Sequence, residues 1–190
     1  MKKLALLVTL SALFVLACPP AEEPPAPEPA APEPAAAEPA PAPPTAEAVL
    51  LDAEGVEVGR ATFTQQGSDV VLVATVEGTE LEGLHGFHVH EFGLCEAPDF
   101  ASAGGHFNPT GTEHGCPPSP DRHAGDFGNI ELVGGSGRLE LASDLVTVTE
   151  GERSVVGKAV ILHGHTDDCT TQPTGDAGPR WACGVVELVP

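Results

Sequence analysis

Several short runs of this chain alternate apolar and polar residues, and that period of two constrains its fold more than any other feature. Ala61-Thr62-Phe63-Thr64 alternates outright, and Val71-Leu72-Val73-Ala74-Thr75-Val76 sets β-branched residues at every second position. Successive strand side chains point to opposite faces, so such runs suit half-buried strands, whereas a helix repeats every 3.6 residues. Runs of this kind recur at 48–51, 56–65, 70–77, 86–91, 129–133, 137–141, 154–162 and 184–189, with turn residues between them. The 22 Gly and 20 Pro supply those turns, and with only 4% aromatic residues they argue against a helical bundle. About eight antiparallel strands in about 140 residues predict an all-β domain, an eight-stranded Greek-key flattened barrel or sandwich. The connections at about 92–127 and 164–183 are too long for simple turns. Both are rich in His, Asp or Cys, so pinning by metal and disulfide is expected.

The N-terminus reads as an address. Lys2 and Lys3 precede an apolar run from Leu4 to Ala17, too short to span a bilayer comfortably but suited to a secretory signal. The run ends Val15-Leu16-Ala17-Cys18, similar to the lipobox of bacterial lipoproteins. Residues 1–18 are therefore expected to be a lipoprotein signal ending in a lipidated Cys18. That also accounts for the odd thiol, since five Cys less Cys18 leaves four. Residues 19–46 hold 12 Pro, 10 Ala, five Glu and one Thr. Such a segment has no apolar core to form and is expected to be an extended tether. The domain proper is expected at 47–190, in the cell envelope, periplasmic or at the cell surface, with the membrane touched only through the lipid.

Charge excludes one class of partner. Eight Lys and Arg face 28 Asp and Glu, a formal net charge of -20. Nucleic-acid binding by phosphate neutralisation is excluded by so acidic a balance. From residue 47 onward, 23 acids face six bases: Arg60, Arg122, Arg138, Arg153, Lys158 and Arg180.

The eight His are the chemical signal. In Gly86-Phe87-His88-Val89-His90, the two His of a strand share one face, delivering paired imidazoles from a rigid element. His106, His114, His123 and Asp126 follow in or at the end of the first long connection, and His163 closes a later strand. A single His on a β domain is ordinarily structural, but six with one Asp at strand ends and pinned loops point to a metal site. Imidazole suits zinc and copper, and three His with a carboxylate suit tetrahedral zinc.

These residues resemble the copper/zinc superoxide dismutases. The matching stretches are Leu84-His85-Gly86-Phe87-His88-Val89-His90-Glu91-Phe92-Gly93, Ser102-Ala103-Gly104-Gly105-His106-Phe107-Asn108-Pro109, His114-Gly115 and Arg122-His123-Ala124-Gly125-Asp126. His163 with Asp167-Asp168 follows, then Gly175-Asp176-Ala177-Gly178-Pro179-Arg180-Trp181-Ala182-Cys183-Gly184-Val185. The resemblance covers about 47–190 with every motif in family order, and Asp99-Phe100 and Pro173-Thr174-Gly175 look like the bacterial branch. It implies copper on His88, His90, His106 and His163, and zinc on His106, His114, His123 and Asp126. His106 would bridge both ions and act as a proton carrier. It implies dismutation of superoxide to dioxygen and hydrogen peroxide by alternating reduction and oxidation of copper. Arg180 would attract and orient the anion, and Asp167 would link His88 to His114. His85 is implied to be structural, and His165 is expected to be an exposed loop residue.

Four body cysteines allow three pairings. The family pairs Cys95 with Cys183. Cys116 lies two residues after His114 and Cys169 two after Asp167. If Asp167 bonds His114 as the resemblance implies, Cys116 and Cys169 meet in a second disulfide. Ala101 stands where bacterial relatives often carry Lys, and Asp176 replaces the more usual Asn, so weak electrostatic steering is expected. The competing readings are a non-catalytic copper/zinc-binding domain on the same fold, and a purely structural lipoprotein. A binder need not keep Arg180, bridging His106 and Asp126 together. The chain is expected to act as a monomer or homodimer.

Overall fold

The computed structural model describes residues 42–190; the expected signal, Cys18 and most of the expected tether lie outside them. The strands are β1 Thr45–Asp52, β2 Glu57–Gln66, β3 Asp69–Val76, β4 Gly83–His90, β5 Asp126–Leu132, β6 Gly137–Ser143, β7 Ala159–His163, β8 Arg180–Val185 and the short β9 Glu187–Leu188. Eight of them form one antiparallel sheet in the order β5-β4-β7-β8-β1-β2-β3-β6, and β9 adds to β1. Its two ends, β5 and β6, are successive strands joined by a turn with the bridge Val133–Ser136. The sheet thus curls into a nearly closed flattened barrel with Greek-key crossovers, as the sequence pattern predicts.

Alternation decides the interior. On β3 the pattern buries Val70, Leu72, Ala74 and Val76, while β1 buries Ala46, Ala48 and Leu50. These meet Phe63, Phe87, Val89, Phe127, Ile130, Leu132 and Leu162 in one core, where Phe63 and Phe127 pack edge to face at 6.0 Å. β4 departs from alternation, since His85 through His90 are all buried. Val89 enters the core, whereas His88 and His90 face the side covered by the two long connections.

Two strands differ from expectation. The run at 154–162 becomes a strand only at Ala159, because Val155 is instead strapped to Thr147 by backbone hydrogen bonding. The run at 184–189 starts earlier, at Arg180, and breaks at Val186. Val186 turns into the core and its backbone pairs with Gly157 and Lys158, so only Glu187 and Leu188 rejoin β1.

The first long connection is laced to the barrel. Phe107 donates to the Val89 carbonyl, Gly125 to that of Phe107, and Val89 to that of Gly125. A disulfide joins Cys95 to Cys183 on β8, and Phe100 and Ala103 pack beside it against Ala159 and Ile161. A second disulfide joins Cys116 to Cys169, tying the first long connection to the second.

Candidate metal centre

Strand register brings the first ligating groups together. In β4, His88 lies opposite Asp126 of β5 on one side and Ile161 of β7 on the other, and His90 forms a bridge with His106. His163 ends β7 directly across from Arg180, the first residue of β8. The loop between β4 and β5 contributes His106, His114 and His123, and all these histidines are buried.

Two overlapping quartets result: His88, His90, His106 and His163, and His106, His114, His123 and Asp126. Within each, one nitrogen or oxygen per residue lies within 4.8 Å of the others. His106 belongs to both.

The orientation of the rings tests whether cations fit. His88 Nδ1, His106 Nε2, His114 Nδ1 and His123 Nδ1 are buried without a hydrogen-bond partner. Buried polar atoms seldom remain unsatisfied, and each of these rings has its other nitrogen or a neighbouring carboxylate to fix it. His114 Nδ1 is 2.9 Å from Asp126 Oδ2, yet it is not aligned to hydrogen-bond there, as expected of two donors aimed at a common third point. His90 Nε2 and His163 Nε2 face each other at 3.3 Å. Their Nδ1 atoms lie against the carbonyls of Gly104 and Gly178. Each Nδ1 therefore carries the proton, and two Nε2 lone pairs point together, which only a proton or cation between them relieves. The donor set, imidazoles with one carboxylate, suits copper in the first quartet and zinc in the second.

Carboxylates hold the rings. Asp167 accepts from His88 Nε2 at 2.8 Å through Oδ2 and from His114 Nε2 at 2.9 Å through Oδ1. Asp126 accepts from His106 Nδ1 at 2.7 Å and from the backbone N–H groups of Gly115 and His123.

Without metal, burial is the largest influence on His106 and His163 and lowers them to about 4 and about 2; His90 is lowered for the same reason. Burial also opposes charge on His114, but the adjacent Asp126 carboxylate and the hydrogen bond to Asp167 overcome it and raise His114 to about 9. Burial likewise opposes charge on Asp126 and Asp167, and the imidazole hydrogen bonds reverse it, holding both below the usual carboxylate range.

Arg180 is half-buried, and its guanidinium donates to the carbonyls of Phe100 and Gly104. The Gly104 carbonyl also accepts from His90 Nδ1, so one backbone oxygen ties the arginine to the first quartet. A surface depression lined by Pro98, Asp99, Ala101, Gly178 and Pro179 opens beside it. His85 lies outside both quartets, with its ring nitrogens against the carbonyls of His163 and Glu82. His165 is exposed and Asp168 serves a surface turn.

Chain comparison decides the family. The family model for copper/zinc superoxide dismutase (SODC) matches residues 57–186. The chain belongs to the copper/zinc superoxide dismutase family. It is 37% identical over 146 residues to Superoxide dismutase (Cu-Zn) 2 of Aquifex aeolicus (strain VF5), covering 74% of this chain and 85% of that one. It is 39% identical over 138 residues to the Extracellular superoxide dismutase (Cu-Zn) of Caenorhabditis elegans, covering 70% and 62% respectively. The crystal structure of the clock protein EA4 superposes with a TM-score of 0.68 at 36% identity, covering 78% of this chain and 97% of that one. As a member of this family, the chain is an enzyme that converts superoxide to dioxygen and hydrogen peroxide with copper and zinc as cofactors. Its two disulfides mark it as an exported protein.

Three positioning side chains carried no assigned role in the sequence. Asn129 bonds both the backbone N–H and C=O of Asp167, and Gln172 does the same for His114. Arg122 is buried and donates to the carbonyls of Asp126 and Ser119. Arg122 had a signal, its place in the His123–Asp126 motif. The two amides had none, because amides in turn-rich loops are common.

Proposed function

We propose that His88, His90, His106 and His163 hold copper, that His106, His114, His123 and Asp126 hold zinc, and that His106 is shared between them. The observation that carries this reading is the position of His106 in both quartets. Its Nδ1 faces Asp126 of the second quartet at 2.7 Å, where zinc would replace the shared proton, and its buried Nε2 is without a partner on the other side. When bound, copper supplies a one-electron couple, and zinc supplies a redox-inert anchor for the loop. The protein's own residues do the rest. Asp167 fixes the proton on Nε2 of both His88 and His114, leaving their Nδ1 lone pairs free to ligate. His106 takes up and gives back a proton at Nε2, the nitrogen for which the protein offers no other acceptor. Arg180, held by two backbone carbonyls, presents its remaining N–H groups to the anion and orients it.

The test is superoxide removal by the copper- and zinc-loaded protein beside Arg180→Ala at equal metal content. A cyanide-sensitive rate, lowered about tenfold in the variant, is expected from the loss of a fixed cation beside the anion's path. An unchanged rate would remove Arg180 from the mechanism. Full metal loading without activity would favour the copper/zinc-binding alternative.

The N-terminus completes the proposal. Cys18 carries the lipid, and the segment from residue 19 tethers the domain away from an envelope membrane, ending before the expected residue 46 because Thr45 already opens β1 and Ala46 is buried in the core. Mass spectrometry of protein from a membrane fraction should find an acylated N-terminal Cys18, and a soluble product cleaved elsewhere would refute the anchor.

A further inference from the structure

The two metal sides are built on different foundations. Three of the first quartet stand on strands fixed by ladder hydrogen bonds, His88 and His90 on β4 and His163 on β7, and the fourth, the shared loop residue His106, is bridged directly to His90. His114 and His123 come from the long loop between β4 and β5, which has no ladder of its own at those residues. Something else must hold them in place.

Around His114 the structure supplies it. Gln172 accepts from the His114 N–H at 2.8 Å and donates to the His114 carbonyl at 3.0 Å, so one amide grips both backbone groups of the ligand. Two residues on, Cys116 is covalently joined to Cys169. The Cys169 N–H donates at 2.7 Å to Asp167 Oδ1, the same oxygen that accepts from His114 Nε2. Cys169 adopts φ 63, a left-handed conformation unusual outside glycine, which persists only where its surroundings over-determine it. Gly175 covers the pair so closely that a Cβ there would lie 1.9 Å from Asp167 Oδ1 and 2.6 Å from His114 Nε2. Backbone, ring and following chain are thus all tied to one segment, 167–175.

We propose that the Cys116–Cys169 disulfide and Gln172 form a clamp that positions His114 for zinc and slows zinc escape, leaving copper retention to the strands. A ligand already held in its bound orientation loses little freedom on binding, and must break protein contacts to swing away. The inference rests on the reading that the His114 quartet holds zinc. The other disulfide serves the opposite region, joining Cys95 to β8 near Arg180.

The experiment follows zinc and copper release from the loaded full chain into excess chromogenic chelator. Cys116→Ser with Cys169→Ser should release zinc about 10–100-fold faster, the usual effect of removing groups that orient metal ligands, and copper within about twofold of the parent rate. Cys95→Ser with Cys183→Ser should leave zinc release within about twofold, because the segment around His114 stays intact. Gln172→Ala keeps both disulfides and should speed zinc release about tenfold, which decides the matter if the cysteine variant does not fold. Unchanged zinc release, or equal acceleration of both metals, would overturn the clamp and leave the disulfide a general stabiliser. Asp126→Ala separates the two levels of the argument. Loss of the bound zinc in that variant supports the zinc assignment, whereas full zinc occupancy would overturn that assignment rather than the clamp.

Discussion

Ionic strength should raise the rate of this enzyme, not lower it. The substrate is an anion, and the described domain carries 23 acidic against six basic residues. Five of those bases are committed elsewhere. Arg60 pairs with Glu57 and Arg138 with Glu140, Arg122 is buried, Arg153 binds the Asp144 carbonyl, and Lys158 binds that of Glu91. Arg180 alone lies at the depression beside the first quartet, and Asp99 shares that depression. Two divalent cations bring -17 to about -13, and a domain of this length approximates a sphere of radius ~19 Å. With a Debye length of about 30 Å at 0.01 M and about 8 Å at 0.15 M, the mean repulsion felt by a unit anion at the surface falls from about 1.7 to about 0.8 kcal/mol. That difference caps the gain at about fivefold, and the local field of Arg180 and the metals reduces it. The assay is pulse-radiolysis decay of superoxide at fixed pH from 10 to 150 mM inert salt, on the order of the two regimes above. A rise, up to that ceiling, is expected. A fall of about twofold or more would show that local positive focusing dominates and would refute the argument.

Three further outcomes follow from the centre. Asp167→Ala removes the acceptor of both His88 and His114 and should weaken metal retention about 10–100-fold, whereas Asp168→Ala, which touches only the exposed turn to Thr171, should not; competition with chelators distinguishes them. Gly175→Ala places a Cβ against Asp167 at a backbone φ of +68, and should cost about 2–4 kcal/mol in thermal unfolding, while an unchanged midpoint would contradict the close approach. The metal-free protein should be most stable near neutral pH. His106 and His163, lowered to about 4 and about 2 from 6.5, are bound neutral, so unfolding gains protons and stability falls as pH drops below 6.5. His114, raised to about 9, contributes fully below 6.5 and loses its contribution as pH rises through 9. Melting temperatures that climb steadily from pH 7 to 10 would refute the second limb.

Much of the centre was legible because its residue types are rare and their spacing is local. His88 and His90 needed only the strand period, and the order of the His and Asp motifs carried the rest. The strand ends were less legible, since the apolar run at 154–162 looks the same whether it joins a ladder or straps to Thr147. Gln172 and Asn129 were invisible for a similar reason. Their roles depend on partners 58 and 38 residues away, and nothing in their own neighbourhood marks them.

By itself the sequence determined the all-β class, the His and Asp residues that gather in the two quartets, and the acidic balance, because each is a local pattern or a count. Tertiary structure alone decided that His106 is bridged to His90, that Arg180 stands across from His163, and that Gln172 grips the His114 backbone from 58 residues away. Those facts depend on strand register and loop closure, which arise when the barrel buries its core and are written in no single stretch of the chain.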